Sequence, residues 1–201
     1  MQRSAAIALL RQYVHGDTLV RYCLATGSIM KAVAGPLGGD PAGWEEIGIL
    51  HDIDFEQVNG GSKNPEGSSQ LGIQMNPTYI QPHGVAGARL LTDAGIADDS
   101  CGIIAGHNHF LHIAPYETPV EIALQAADNA SGLITACALV KGGRLSDVTM
   151  KTITKKAKEK SFAAGCDRNR IAFIASLMEI PVFYGHALAG LMEIRTELGL
   201  E

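Results

Sequence analysis

Apolar residues recur along most of this chain at intervals of three and four, the spacing that places them on one face of an α-helix. In the first part of the chain this pattern predicts helices over residues 4–14, about 17–34 and about 41–51. Asp17 and Asp40 stand where the second and third segments begin, and a carboxylate there can cap free backbone N–H groups. Pro41 fits a first helical position, where its missing N–H is harmless.

The same periodicity returns after residue 81. It predicts helices over about 82–95, 98–107, 119–141 and 167–179, and a last one from Pro181. The most definite start is Thr118-Pro119-Val120-Glu121, which combines a capping box with proline at the first helical position. The helix that it opens is apolar on nearly all sides and is expected at the centre of the fold. Because no segment alternates like a β-strand, the sequence predicts an all-α protein.

Residues 56–81 interrupt this pattern with glycine, asparagine, serine and proline. A connection of that length inside a compact domain is typical of a lid or a binding loop. Its composition offers little apolar area to bury, so we expect 59–76 to be the most mobile internal segment and to border a site.

Size and composition favour one helical-bundle domain over residues 1–201, with its core at about 17–140 and 146–201 packed on it. A hydrophobic content of 46% is ample for a core, and the formal net charge of −5 argues against generic nucleic-acid binding. No run has the length of a membrane span, and no signal peptide is recognisable. The four cysteines are widely spaced, so we expect a cytoplasmic protein with reduced thiols.

The chemically distinctive stretch is Gly48-Ile49-Leu50-His51-Asp52-Ile53-Asp54, in which an apolar helical run ends in a histidine and two carboxylates. Charged groups beside an apolar run are costly to desolvate unless they are paired, and a divalent cation is the strongest available partner. An imidazole beside a carboxylate suits a transition metal such as Mn, Fe, Co, Ni or Zn. The pair is weak evidence alone, so further ligands have to come from elsewhere in the chain.

Three further candidates lie on other predicted helices, namely His83, His107 and Asp128. Each is expected at a helix end or on an inner face, and helical bundles build metal sites from such inward-facing side chains. Asp128 is flanked by Leu124 and Ala127, where a carboxylate is difficult to keep charged without a cation or several hydrogen bonds. Either a metal ion or a buried helix–helix hydrogen bond would account for it.

In order and context these residues resemble the HD-domain metal-dependent phosphohydrolases, especially the small bacterial and archaeal proteins described only as predicted hydrolases. The resemblance covers roughly residues 5–180 and rests on motifs that are specific in combination and weak singly. These are His51-Asp52 after an apolar helix, Pro82-His83-Gly84, Gly106-His107-Asn108 and Ala126-Ala127-Asp128.

The resemblance implies an HD-type helical fold and a centre for one or two divalent ions, with Mn, Fe, Co, Ni, Zn and Mg all open. His51, Asp52 and Asp128 would hold a first ion. Asp52 would bridge to a second ion, which His83 and His107 would complete. The implied activity is hydrolysis of a phosphomonoester or phosphodiester, of a nucleotide or a small metabolite, by a metal-activated water. The implied partner is therefore a small-molecule phosphate ester.

One position departs from the family. A further histidine usually lies in the second helix, and the matching residue here is Tyr22. A phenol is a poor ligand for Mn or Mg until it is deprotonated, and its pKa of about 10 resists that. Cys23 or His15 could replace it only after a shift in register. Two alternatives follow: a metal- or nucleotide-binding module with weakened catalysis, and a di-iron oxygenase on the same scaffold.

Further polar residues near these motifs have two interpretations each. Asp54 is a candidate catalytic base or a residue that orients a ligand, although a helix-end hydrogen bond would also explain it. Glu56 is a weaker candidate for the same roles. His109 is a candidate substrate contact, as is His112, and each could equally be an ordinary loop residue.

The segment 151–160 is rich in lysine. It either forms a solvated helix face or brings Lys155 or Lys160 to the site, where an ammonium group would hold substrate phosphate. Arg168 and Arg170 are open to the same two interpretations.

Overall fold

The computed structural model describes residues 1–58 and 83–201, and every regular element within those ranges is helical. The α-helices are α1 (Arg3–Tyr13), α2 (Asp17–Ala34), α3 (Pro41–Leu50), α4 (Phe55–Val58), α5 (Val85–Asp93), α6 (Asp98–Gly106), α7 (Pro119–Leu139), α8 (Met150–Ala157), α9 (Arg168–Ala172) and α10 (Ile180–Glu193). Short 3-10 turns lie at Gly35–Leu37, Leu145–Asp147 and Phe173–Ser176. The predicted all-α class is therefore confirmed for the described part of the chain.

Local capping sets several of these boundaries. The Asp40 carboxylate accepts hydrogen bonds from the N–H groups of Ala42 and Gly43, at 3.2 and 2.9 Å, and so opens α3. The predicted capping box is present at α7, where the Glu121 carboxylate accepts from the Thr118 N–H at 2.8 Å. Caps of this kind contribute roughly 1 kcal/mol each to the stability of a helix.

Two boundaries differ from the prediction. The fourth predicted helix begins at Val85, after Gly84 at a φ of 85°, so His83 precedes the helix and does not lie in its first turn. The segment capped by Asp167 forms only α9 and a 3-10 turn, because the chain bends before α10. Both differences change helix boundaries and leave the helical class unchanged.

Helix α2 lies at the centre and packs against α3, α7 and α10. It meets α3 at Gly27 and Gly48, so closely that a Cβ atom on Gly48 would lie 2.6 Å from the Gly27 Cα atom. Only a residue without a side chain fits that crossing. The crossing holds the end of α3, and with it His51, against the middle of α2.

Helix α7 is buried on nearly every side over 122–134, as its uniformly apolar sequence predicts. It contacts α2, α3, α8, α9 and α10. Leu133 of this helix and the large side chains of Ile29, Leu50 and Phe183 on neighbouring helices are fully shielded from solvent. Asp128 is therefore carried into the interior on a rigid, packed helix.

The predictions of a lid over 56–81 and of mobility over 59–76 fall almost wholly on residues outside the described ranges. Within the described residues no single helix is long and apolar enough to cross a membrane. The bent helix pair Arg168–Ser176 and Ile180–Glu193 has the length and the apolar composition of a membrane span, by those two criteria alone.

Candidate metal centre

The five predicted ligands come from four separate parts of the chain and meet in one cluster. His51 and Asp52 follow α3, His83 precedes α5, His107 directly follows α6, and Asp128 lies within α7. The ligand atoms of Asp52, His83 and His107 all lie within 4.8 Å of one another. The His51 ring lies 5.3 Å from the His107 ring, and its Nε2 atom is 3.3 Å from Asp128 Oδ1. These five side chains therefore lie close together in the described part of the structure.

Asp52 stands in the middle of the cluster and is only 5% exposed. Its Oδ1 atom lies 3.2 Å from Nε2 of His83 and 3.4 Å from Nε2 of His107. Its Oδ2 atom lies 3.5 Å from Nε2 of His51. The two oxygens of this carboxylate therefore face different imidazoles.

Backbone carbonyls orient two of the imidazoles. His51 Nδ1 lies 2.8 Å from the Gly48 carbonyl oxygen, and His107 Nδ1 lies 2.6 Å from that of Ile104. A carbonyl oxygen can only accept, so Nδ1 carries the hydrogen in both rings. In the neutral form each Nε2 lone pair then faces the carboxylates, which is the orientation of a metal-binding histidine.

His83 is oriented by a carboxylate. Asp54 is completely buried, and its Oδ1 atom lies 2.8 Å from Nδ1 of His83. Its Oδ2 atom accepts hydrogen bonds from the N–H groups of Gly84 and Gly87, both at 2.8 Å. Asp54 therefore combines two of the interpretations given above, since it orients a ligand and makes hydrogen bonds at a helix start.

Asp128 is held by three side chains besides His51. The Tyr22 hydroxyl donates to Asp128 Oδ1 and also lies 2.8 Å from the Asp128 backbone oxygen. On the other side, Asp128 Oδ2 is 3.3 Å from Nδ2 of Asn129 and 3.4 Å from Nη2 of Arg170. The Tyr22 side chain thus points towards the cluster, and its ring lies 6.0 Å from that of His51. The helix–helix hydrogen bond considered for Asp128 is present too, because Tyr22 lies on α2.

The carboxylates of the cluster stabilise the protonated form of two of its imidazoles. Burial alone would lower the pKa of an imidazole, but the neighbouring carboxylates raise the pKa of His51 to about 9 and that of His83 to about 10. Burial prevails at His107, whose pKa is lowered. Burial also opposes ionisation of the carboxylates, yet hydrogen bonds and nearby positive charges lower the pKa of Asp52 far below its usual value and that of Asp128 to about 2. A cation bound among these groups would replace the protons, and this donor set therefore fits a metal ion.

Tyr22 is a hydrogen-bond donor in this arrangement. Burial and the negative charges of Asp128 and Asp52 raise the pKa of its phenol well above the ordinary value. In the metal-free protein the hydroxyl consequently keeps its proton and donates a hydrogen bond to Asp128.

Two further residues line the cluster: Arg170, which the sequence left open as a phosphate-binding residue, and Gln125, which the sequence analysis did not single out. Arg170 of α9 donates from Nε to Gln125 Oε1 at 2.7 Å and from Nη2 to the His107 carbonyl oxygen at 3.2 Å. Gln125 is fully buried, and its Nε2 atom donates to the same carbonyl at 3.0 Å. The available signal was spacing, because Gln125 precedes Asp128 by three residues on a helix and so shares its face.

The candidate substrate residues lie in different surroundings. His109 is half-buried, and its ring centroid lies 3.7 Å from that of Phe110. Burial lowers the pKa of its imidazole, and the positive charge of Arg170 lowers it further. His112 stacks on Tyr116, and its Nε2 atom is buried without a hydrogen-bond partner among the described residues.

The predicted lysines and Glu56 lie in settings that differ from the cluster. Lys155 on α8 and Lys160, which follows that helix, are both exposed. Glu56 accepts hydrogen bonds from the N–H groups of His15 and Gly16, both at 2.8 Å, at the start of α2. Its contacts are those of a helix cap.

No family model, no curated protein and no solved structure matches this chain. What the structure establishes is an all-α protein with a buried His/Asp cluster that could hold a metal ion. Any function has to be argued from the chemistry of that cluster.

Proposed function

We propose that this protein is a metal-dependent phosphohydrolase of the HD type, acting on a phosphomonoester or phosphodiester of a nucleotide or small metabolite. The observation that carries the proposal is the placement of Asp52, which faces His83 and His107 with one oxygen and His51 with the other. Asp128 completes the set beside His51. The order of these residues along the chain is that of the HD motifs, which also supports the assignment.

Two overlapping sets of residues would hold the ions. Asp52, His83 and His107 would bind one, and His51, Asp52 and Asp128 would bind another. Imidazole nitrogens combined with carboxylate oxygens suit Mn, Fe, Co, Ni or Zn. When bound, such ions neutralise phosphoryl oxygens and make water a stronger acid.

The residues around the ligands contribute orientation and a dry environment. Asp54 fixes the His83 ring, and the carbonyls of Gly48 and Ile104 fix the other two imidazoles. Preorganised groups in a site shielded from water stabilise developing charge more strongly than the same groups in water. Because both oxygens of Asp54 are engaged, we propose that it positions His83 and is not the catalytic base.

One observation favours a second candidate, a metal- or nucleotide-binding module with weakened catalysis. Tyr22 stands where the family has a histidine, and its protonated hydroxyl occupies an oxygen of Asp128. An ion bound by His51, Asp52 and Asp128 would have one protein ligand fewer and would compete with that hydrogen bond. The two candidates differ in turnover.

The deciding experiment is metal analysis of the purified protein, followed by a screen of phosphate esters with the metal found. We expect one or two equivalents of a transition metal and hydrolysis that stops after chelation. The variant Asp52→Asn should lose both, while Asp147→Asn, which changes an exposed carboxylate paired with Arg144, should lose neither.

Other outcomes of the same experiment decide between the alternatives. Metal or nucleotide binding without turnover would favour the module, and a mixed-valent di-iron signal would favour an oxygenase. A protein that takes up no divalent metal at all would refute the centre.

A further inference from the structure

Arg170 is a cation built into the wall of the cluster. Its side chain is only 11% exposed, and two of its three nitrogens are fixed by Gln125 and the His107 carbonyl. Gln125 is itself fully buried and bonded to that carbonyl. The guanidinium is therefore held in one orientation by neutral partners before any ligand arrives.

The contact of Arg170 with Asp128 is loose by comparison. Nη2 of Arg170 lies 3.4 Å from Asp128 Oδ2, which is longer than the bond from Nε to Gln125 at 2.7 Å. An arginine that only neutralises a carboxylate usually bonds it with two parallel N–H groups at 2.7–2.9 Å. Here Nη1 has no hydrogen-bond partner among the described residues. A role in neutralising Asp128 therefore accounts for Nη2 of the Arg170 guanidinium and leaves Nη1 without a function.

Charge at the centre points to the missing partner. The cluster and its immediate surroundings contain the carboxylates of Asp52, Asp54 and Asp128. Two divalent ions together with Arg170 would carry more positive charge than these three carboxylates neutralise. A centre loaded in this way attracts an anion, and it does so strongly because a buried site screens charge poorly.

We propose that Arg170, oriented by Gln125 and the His107 carbonyl, binds an anionic oxygen of the substrate's phosphoryl group. The inference rests on the proposed function for the identity of the anion, whereas the geometry itself requires only an oxyanion. Arginine suits this role because its planar fork matches phosphate oxygens. Of the residues for which the sequence left this role open, Arg170 lies beside the cluster, whereas Lys155 and Lys160 are exposed.

The test is calorimetric titration of inorganic phosphate into the metal-loaded protein, with wild type, Arg170→Ala, Arg170→Lys and Lys155→Ala compared. We expect Arg170→Ala to weaken phosphate binding on the order of ten- to a hundredfold, the usual value of a hydrogen bond to a charged group. Arg170→Lys should keep part of the affinity, since it keeps the charge and loses the fork. Lys155→Ala should bind like wild type. Metal content and melting temperature, measured on the same samples, show whether each variant is folded and loaded.

Three results would overturn the inference. One is wild-type protein that loads metal but binds no phosphate. Another is unchanged phosphate affinity in folded Arg170→Ala, or in Arg170→Lys if the alanine variant does not fold. The third is a loss of phosphate affinity that is fully accounted for by lost metal, because Arg170 would then serve Asp128 alone.

Phosphate binding needs no turnover, so the two proposals fail separately. Protein that binds phosphate through Arg170 and hydrolyses no ester would refute the proposed function and support the inference. Ester hydrolysis whose KM and kcat are unchanged in Arg170→Ala would do the reverse.

Discussion

The two halves of the cluster share Asp52 and differ in how their other ligands are held. In the histidine half (Asp52, His83 and His107), each imidazole is oriented by a hydrogen bond at Nδ1 and presents Nε2 to Asp52. In the carboxylate half (His51, Asp52 and Asp128), His51 is oriented in the same way, but an oxygen of Asp128 accepts the Tyr22 hydroxyl. The histidine half could therefore hold an ion as it stands. In the carboxylate half, the Tyr22 hydroxyl already donates to one of the oxygens that an ion would need.

This difference predicts unequal affinities. An ion entering the histidine half displaces protons and breaks no other contact of its ligands. An ion entering the carboxylate half also has to compete with the hydrogen bond from Tyr22. We therefore expect stepwise binding, with the histidine half filled first, and the following predictions test that order from the largest expected effect to the smallest.

Asp52→Asn should abolish metal binding in both halves, because it removes the carboxylate that they share. The loss in metal affinity should exceed the roughly 10–100-fold change that follows removal of an outer hydrogen-bond partner. Metal stoichiometry after dialysis measures it, with Asp147→Asn as the matched control. If Asp52→Asn retained wild-type metal content, Asp52 would not be a ligand in either half.

Asp54→Asn should weaken the histidine half selectively. The amide keeps the size of the side chain but loses the charged acceptor for His83 and for the N–H groups of Gly84 and Gly87. We expect the tighter metal-binding step to weaken by roughly 10–100-fold and the weaker step to change less. Calorimetric metal titration resolves the two steps.

The matched control for this change is Glu56→Gln. Glu56 caps the start of α2 through His15 and Gly16 in the way that Asp54 caps α5. A similar loss of metal affinity in both variants would show that helix capping, and not the orientation of His83, accounts for the effect.

Tyr22→His should strengthen the carboxylate half. It replaces a protonated phenol with a neutral imidazole at the position where the family has a ligand, so occupancy of the weaker step should rise. Tyr22→Phe is the control, because it removes the donor to Asp128 without adding a ligand and should lower stability by about 1–3 kcal/mol. If Tyr22→His also lowers stability by about that amount and metal content stays constant, Tyr22 does not occupy the missing ligand position.

The smallest effect is the pH dependence of the metal-free protein. His51 and His83 have folded pKa values of about 9 and about 10, above the usual 6.5, so their contribution to stability is complete below about pH 6.5 and is lost as pH rises through 9 and 10. Asp128, with a folded pKa of about 2, contributes above about pH 4 and loses this contribution as pH falls through 2. His107, whose pKa is lowered, opposes the trend slightly just below pH 6.5.

Melting temperature against pH measures this dependence. The metal-free protein should melt lower at pH 9 than at pH 6, and metal affinity should rise over the same range because fewer protons compete. A melting temperature that rises from pH 6 to pH 9 in chelator would show that shared protons do not stabilise the cluster.

The sequence by itself determined the helical class, most helix starts and which residues are candidates for a metal site. Periodicity and capping act within a few residues, so Asp40 and the Thr118 capping box could be recognised without knowing any tertiary contact. His51, Asp52 and Asp128 stood out for a similar reason. Burying a polar side chain in an apolar helix costs free energy unless a partner is present, and the local sequence is enough to recognise such a position.

Tertiary structure alone decided which side chains form hydrogen bonds with one another around those candidate residues. Asp54 could not be assigned to His83, nor Arg170 to Gln125, because each pair joins segments far apart in the chain. Such contacts depend on how closely the helices approach, as at Gly27 and Gly48, and on which rotamer each buried side chain adopts. Local pattern shows that a buried charge needs a partner, and only the packed arrangement of helices selects which partner reaches it.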